Sequence, residues 1–357
     1  MTTRRSVLLA FGGLAAGAVV AGCRGGGKTT STTTALAATE PSPTSVVPTT
    51  VAGPAVYPLT GLPLTDAAVA ARPALSVKID NAPKARPQSG LDKADVVFEE
   101  VVEGGVVRFM AVFHSADADP LGPIRSVRLV DASILTTLKG YFAYSGGADA
   151  FVQALQKTPA TLVGAFELGE GTGVYRRRRD GGRTAPYNLY SSTGSIRAAA
   201  KPLDQPPPKL FSYRAAGSQL GGGAGPARNI NVVMGERTTV AWAYADDSAA
   251  WARTNNGTPH VVEGGQQLRF PNIVLQFVPY RETSVRDTSG AVSPEAVIEG
   301  EGEAWVLSGP NLVKGRWRKG AAGEVTSYND ASGSPIGLQP GSTWVMLVPA
   351  GVVPQVS

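Results

Sequence analysis

The sequence predicts an α+β body: a mixed α/β N-terminal domain over 57–202 and a β-rich C-terminal domain over 228–351, joined by a Pro/Gly-rich seam at 203–227. Three observations lead there. Up to Gln156, stretches with a two-residue apolar period are interleaved with stretches whose apolar residues recur every three to four positions. Beyond Asn229 nearly every apolar stretch alternates and is closed by turn residues. Between them, Lys201-Pro202, Gln205-Pro206-Pro207-Pro208 and Gly221-Gly222-Gly223-Ala224-Gly225-Pro226 interrupt any regular element. A body of about 300 residues also exceeds what one core usually covers.

Taken in order, residues 1–22 read as a lipoprotein signal peptide of the twin-arginine type. Arg4 and Arg5 stand in Thr3-Arg4-Arg5-Ser6-Val7-Leu8, an uncharged apolar stretch follows from Val7 to Val20, and Val20-Ala21-Gly22-Cys23 closes it. The apolar stretch is about 14 residues, short of the ~20 that span a bilayer core. Cys23 is accordingly the expected lipidation site, and more than one acyl chain makes such an anchor stable. The expected location is the extracytoplasmic face of the cell membrane. Residues 23–56 read as a Thr/Ser/Pro-rich tether, too poor in apolar groups to offset its ordering entropy.

In the N-terminal domain Ala74 to Ile79 alternates like a half-buried strand. Asp95 to Val102 and Val106 to His114 form two strands across a Glu103-Gly104-Gly105 turn. Ser126 to Leu138 reads as a helix, with Ser126 as its N-cap and Val127, Val130, Ile134, Leu135 and Leu138 on one face. Tyr141 to Tyr144 reads as a strand, and Ala148 to Gln156 as the helix after it. In the C-terminal domain the expected strands are Ile230 to Met234, Thr238 to Tyr244, Val274 to Pro279, Gly302 to Leu307, Leu312 to Trp317 and Thr343 to Val348.

Composition excludes several functions. Cys23 is the one cysteine, and once acylated it leaves no thiol for a disulfide, a nucleophile or a zinc site. His114 and His260 are the only imidazoles, so no metal site and no cofactor is expected, although carboxylate ligation of calcium or magnesium stays open. Removing the signal leaves 31 basic against 28 acidic residues, a formal +3. That is too little for a dedicated nucleic-acid binder, and no nucleic-acid partner is expected.

Several motifs occur in a fixed order: Ile79-Asp80-Asn81 and Ala85-Arg86-Pro87-Gln88, then Glu103-Gly104-Gly105 followed by Arg108, then Gly122-Pro123-Ile124-Arg125-Ser126-Val127-Arg128, then Arg183 to Tyr190 with Asn188. Gly302-Glu303-Ala304-Trp305, Gly315-Arg316-Trp317 and Gly341-Ser342-Thr343-Trp344 complete the set. Together they resemble the YerB-like family of bacterial lipoproteins, a domain-of-unknown-function family with N-terminal and C-terminal domains. The resemblance runs from about Tyr57 to Pro349. It departs at Val107, where the family pattern suggests threonine. It implies location and two-domain architecture, and no activity.

The same residues carry the candidate sites. Asp80, Asn81, Arg86, Gln88, Arg125, Ser126, Arg128, Arg183 and Asn188 lie on turn segments and form the candidate ligand-binding set. A helix beginning near Ser126 would add backbone N–H donors, and Arg125 and Arg128 would add bidentate ones. The alternative is that the arginines pair with Asp131, Glu99 or Glu103 and fix the fold. Glu99 and Glu103 are candidate catalytic carboxylates for glycan hydrolysis, against a plain reading as a solvated hairpin edge. Ala143-Tyr144-Ser145-Gly146-Gly147 has the outline of a nucleophile elbow, though a tight Gly-rich turn explains it more simply. Arg176-Arg177-Arg178-Arg179 is the densest charge cluster, either a solvated loop or a contact for anionic lipid or wall polymer. Trp305, Trp317 and Trp344 are expected in the core rather than on a sugar-stacking surface. The expectation is a non-catalytic binding or scaffolding module for an anionic cell-wall polymer or an envelope protein, with a carboxylate-dependent envelope glycan hydrolase as the alternative.

Overall fold

The computed structural model describes residues 55–287 and 290–357. The expected signal peptide with Arg4 and Arg5, Cys23 and the expected tether as far as residue 54 lie outside the described residues. The described residues form one compact unit, organised around a large mixed sheet.

That sheet runs in the order Ser327–Asn329, Asn311–Lys319, Gly300–Ser308, Asn272–Val278, Thr343–Pro349, Val96–Val101, Val107–Phe113, Leu75–Ile79, Tyr141–Ala143, Thr161–Leu162. The N-terminal α/β part and the C-terminal β-rich part therefore share it. They join where Val96–Val101 runs parallel to Thr343–Pro349, with Val97 opposite Trp344. The chain is α+β, as the two patterns of periodicity predict. The 203–227 stretch is irregular apart from isolated pairings, yet it seats Leu210, Phe211 and Leu220 in the core.

A second sheet, Thr258–Pro259, Ala250–Asn255, Thr238–Ala245, Asn229–Gly235 and Gln355–Val356, covers one face of the first. Aromatic rings fill the gap: Trp344 meets Phe109, Phe270 and Trp242 edge-on at 5.0, 5.1 and 5.4 Å. Such edge-to-face pairs add to the burial energy of large rings. Helices Leu129–Leu138 and Asp149–Gln156 cover part of the opposite face, seating Val130, Ile134, Leu138, Phe151 and Leu155 with Val96, Met110, Val112 and Phe142. Trp305, Trp317 and Trp344 are all buried.

Three local expectations change. Leu75–Ile79 is buried along its whole length, not half-buried. Its polar face carries Ser76 and Lys78 inward, because Glu100 and Asp131 are there to receive the ammonium. The helix expected from Ser126 begins at Leu129, and Arg128 rather than Ser126 occupies the N-cap position. The reason is that residues 124–127 are held extended: Arg125 N–H donates to Lys78 O, Val127 N–H to Gly146 O, and Ser145 N–H to Arg125 O. Finally, Glu99 and Glu103 do not sit on a solvated edge; both are buried.

Candidate anion-binding cleft

The loops after Leu75–Ile79 and around 176–188 meet at one end of the large sheet. The loop 80–90 is pinned by three buried side chains. Gln88 donates through Nε2 to Asp80 O and Asn81 Oδ1, both at 3.0 Å. Asn81 Nδ2 donates to Asn255 Oδ1 at 3.2 Å. His260 Nε2 donates to Gln88 Oε1 at 2.9 Å, which fixes the tautomer and leaves Nδ1 to accept from the guanidinium of Arg253. Burial, with Arg253 and Arg86 adding to it, holds His260 well below its ordinary range, hence neutral.

Arg253 continues this chain. Its Nη2 donates to Glu99 Oε1 at 2.6 Å, and Trp344 Nε1 donates to Glu99 Oε2 at 2.7 Å. The guanidinium lies over the rings of Trp344, Phe109 and Trp242. Asn81, Gln88 and Glu99 are thus struts of a sealed network bridging the two sheets. Burial pushes the Glu99 carboxyl up while Arg253 pulls it down.

A second charged group surrounds the helix start. Lys78 Nζ donates to Asp131 Oδ1 at 2.7 Å and to Glu100. Burial pushes Glu100 up to about 7. Arg128 clamps Glu103 through Nε at 3.0 Å and Nη2 at 2.5 Å. Asp80 lies 3.1 Å from Arg125 Nε, and 3.9 Å from Arg108 Nε. Arg108 Nε and Nη1 are buried without a hydrogen-bond partner, and burial, then Arg128, lower its pKa to about 10.

The open part of the site lies outward of these networks. Lys84, Arg86, Pro87, Gly181, Gly182, Arg183, Thr184 and Tyr187 line a cleft of about 520 Å³. Arg183 Nη2 donates to Pro87 O at 3.1 Å, tying the two loops together. Arg183 Nη1 and Arg86 Nε are buried with no acceptor, and burial lowers the Arg86 pKa. Among the described residues no carboxylate lies within ion-pair distance of Lys84, Arg86 or Arg183. Arg125 borders the cleft, its guanidinium 5.3 Å from the Tyr187 ring centre. A guanidinium fork that lacks an acceptor is suited to a phosphate or carboxylate oxygen.

Of the candidates read from the sequence, Arg86 and Arg183 line this cleft and Arg125 borders it. Asp80 is Arg125's counter-ion, and Asn188 lies one groove away, holding Arg178 O and accepting from Arg177. Asn81, Gln88 and Arg128 are internal ties, and Ser126 lends only a carbonyl, to Arg128. Neither Glu99 nor Glu103 lines the cleft. Lys84 and Tyr187 were not singled out. Lys84 could have been found from its place between Pro83 and Arg86-Pro87 in one turn, and Tyr187 from its place beside Pro186.

Residues 59–205 match the N-terminal domain, and residues 230–345 the C-terminal domain, of the protein of unknown function family DUF3048. A Bacillus subtilis (strain 168) protein named Putative lipoprotein YerB is 28% identical over 301 residues, covering 82% of this chain and 86% of the relative. The crystal structure of YerB protein from Bacillus subtilis superimposes with a TM-score of 0.71 at 24% identity, covering 84% of this chain and 99% of that one. No described helix is long and apolar enough to cross a membrane. With both domains matched in order and the fold shared, the chain belongs to the DUF3048 family.

Proposed function

We propose that this is a lipid-anchored, extracytoplasmic binding protein that holds an anionic component of the cell envelope in the cleft of Lys84, Arg86 and Arg183. One observation carries the reading: two buried guanidinium donors, Arg86 Nε and Arg183 Nη1, lack acceptors beside a cleft whose lining includes no carboxylate. A buried donor left unmade costs about 1–3 kcal/mol, and a bound anion would supply the missing acceptor. The lipobox ending at Cys23 and the lipoprotein name of the Bacillus subtilis relative support membrane attachment through an acylated Cys23. Arg4 and Arg5 support export by the twin-arginine route. Anionic wall polymer or an acidic envelope protein would offer the same acceptors.

The hydrolase reading draws no such support. Each Glu99 oxygen accepts from Arg253 or Trp344, and Glu103 is clamped by Arg128. The test is co-sedimentation of the full chain, in detergent, with isolated cell-wall material over a salt titration. Retention that falls steeply with salt and disappears in Arg86→Gln/Arg183→Gln is expected. Equal retention of wild type and variant would overturn the proposal.

A further inference from the structure

We infer that the ligand of this cleft is a linear polyanion with phosphate groups repeated along one unbranched chain, gripped at more than one phosphate; the inference rests on the anion reading above and names its chemical class. The cleft of about 520 Å³ does not end at Arg183. Gly182, Arg183 and Thr184 also line a second groove of about 470 Å³ that carries Arg177, Arg179 and Asn188. The two make one open trough with Arg183 at the junction.

The arginine run explains which charges are available along it. The Arg176–Arg177 strand segment turns alternate side chains to opposite sides: Arg177 and Arg179 line the groove, whereas Arg176 and Arg178 line a separate cleft of about 760 Å³. Arg177 is held bidentately by Glu170 at 2.8 and 2.6 Å. Arg178 is held by Glu263 and Asp180. Arg179 is exposed and, among the described residues, without an ion pair. So the run is not a uniformly basic patch for a charged surface. It contributes one uncompensated cation to a row formed by Lys84, Arg86, Arg183 and Arg179.

A row of cations along an open trough fits anions repeated along a thin, unbranched backbone. Gly181 lines the first part and Gly182 both, each in the left-handed region at φ 61° and 72° with nothing within 4 Å of where a Cβ would stand. Arg86 and Arg183 approach from different loops. A phosphate sets its oxygens tetrahedrally, so it can face donors from both loops, whereas a carboxylate holds two oxygens in one plane. Tyr187 is the one aromatic ring among the lining of the two parts, and Arg125 stands 5.3 Å from its centre.

The test titrates the full chain in detergent with orthophosphate, tripolyphosphate, long-chain polyphosphate and polyglutamate. The inference predicts that long-chain polyphosphate binds roughly a hundredfold tighter than orthophosphate, per chain, through multivalency. Arg179→Gln should remove most of that gain while orthophosphate binding stays, and Arg176→Gln on the other cleft should change neither. Equal affinity for orthophosphate and the long chain overturns the polymer inference and leaves the anion reading standing. Polyglutamate binding as tightly as polyphosphate of similar length overturns the phosphate class. No binding of any probe overturns both.

Discussion

His114 lies fully buried, its Nε2 3.2 Å from the Ala70 carbonyl and its ring edge-on to Tyr57. Burial lowers its pKa to about 4. The folded state therefore binds fewer protons than the unfolded one between that value and the ordinary imidazole range. Its contribution to stability is full above about 6.5 and is lost as pH falls through about 4. Glu100, raised to about 7, works the other way: its contribution is full below the ordinary glutamate range and is lost as pH rises through about 7. Comparing wild type with His114→Gln separates them. Over the descent from pH 6.5 to 4 the wild type should lose on the order of 2 kcal/mol more than the variant, read from urea midpoints. Parallel curves would show that His114 does not titrate between the two states. The other informative single residues, Arg86 and Arg183, were legible in the sequence because arginines on turns between prolines and glycines have little core to serve. Arg253 was not singled out, though Trp251, Arg253 and Asn255 share one face of an alternating strand, so the arginine stood on a core face.

Among the elements, the helix Leu129–Leu138 owes its start to Asp131, whose Oδ2 accepts from Arg128 N–H at 2.6 Å while Oδ1 accepts from Lys78. One carboxylate thus caps a helix and neutralises a buried lysine. Asp131→Ala should cost about 3–5 kcal/mol, since it strands the ammonium beside Glu100 alone. Asp131→Asn, which keeps an acceptor for the cap, should cost less. Urea unfolding checks the order, and equal losses would contradict it. The hairpin Val96–Val101/Val107–Phe113 depends on its turn in a different way. Gly104 and Gly105 adopt φ 70° and 68°, and a Cβ on Gly105 would meet Glu236 N at 2.9 Å. Gly105→Ala should therefore cost about 1–3 kcal/mol, visible as a lower thermal midpoint. Glu-Gly-Gly announced the turn in the sequence. The contact with the second sheet was not legible, because nothing local to 103–105 points to Glu236.

At the scale of the whole molecule, the buried chain Asn81–Gln88–His260–Arg253–Glu99–Trp344 ties the 80–90 loop to both sheets. The loop that presents Lys84 and Arg86 is thus braced by residues from both halves of the sequence. Arg253→Met should cost about 3–5 kcal/mol by leaving Glu99 buried and unpaired, and Arg253→Met/Glu99→Gln should recover part of it. Additive losses in that double-mutant cycle would show the pair to be uncoupled. The class of fold and most strands of the large sheet follow from periodicity alone. What periodicity does not carry is pairing across long separation: Val97 beside Trp344, or Gln88 beside His260. The same limit bears on part of the candidate set. Asn81, Gln88 and Arg128 look like exposed binding groups until the partners that bury them, far along the chain or on the facing hairpin, are in place.

The central claim is that Arg86 and Arg183 hold an anion and do not hold the fold. The most direct measurement is calorimetric titration of the full chain with inorganic phosphate, for wild type and Arg86→Gln/Arg183→Gln, beside their thermal midpoints. The account predicts saturable binding by the wild type, none by the variant, and thermal midpoints within a few degrees of each other without phosphate, because the variant gives up one part-buried hydrogen bond, Arg183 to Pro87 O, worth about 0.5–1.5 kcal/mol, and no ion pair. A variant that binds phosphate as well as the wild type, or one that unfolds far earlier, would contradict it.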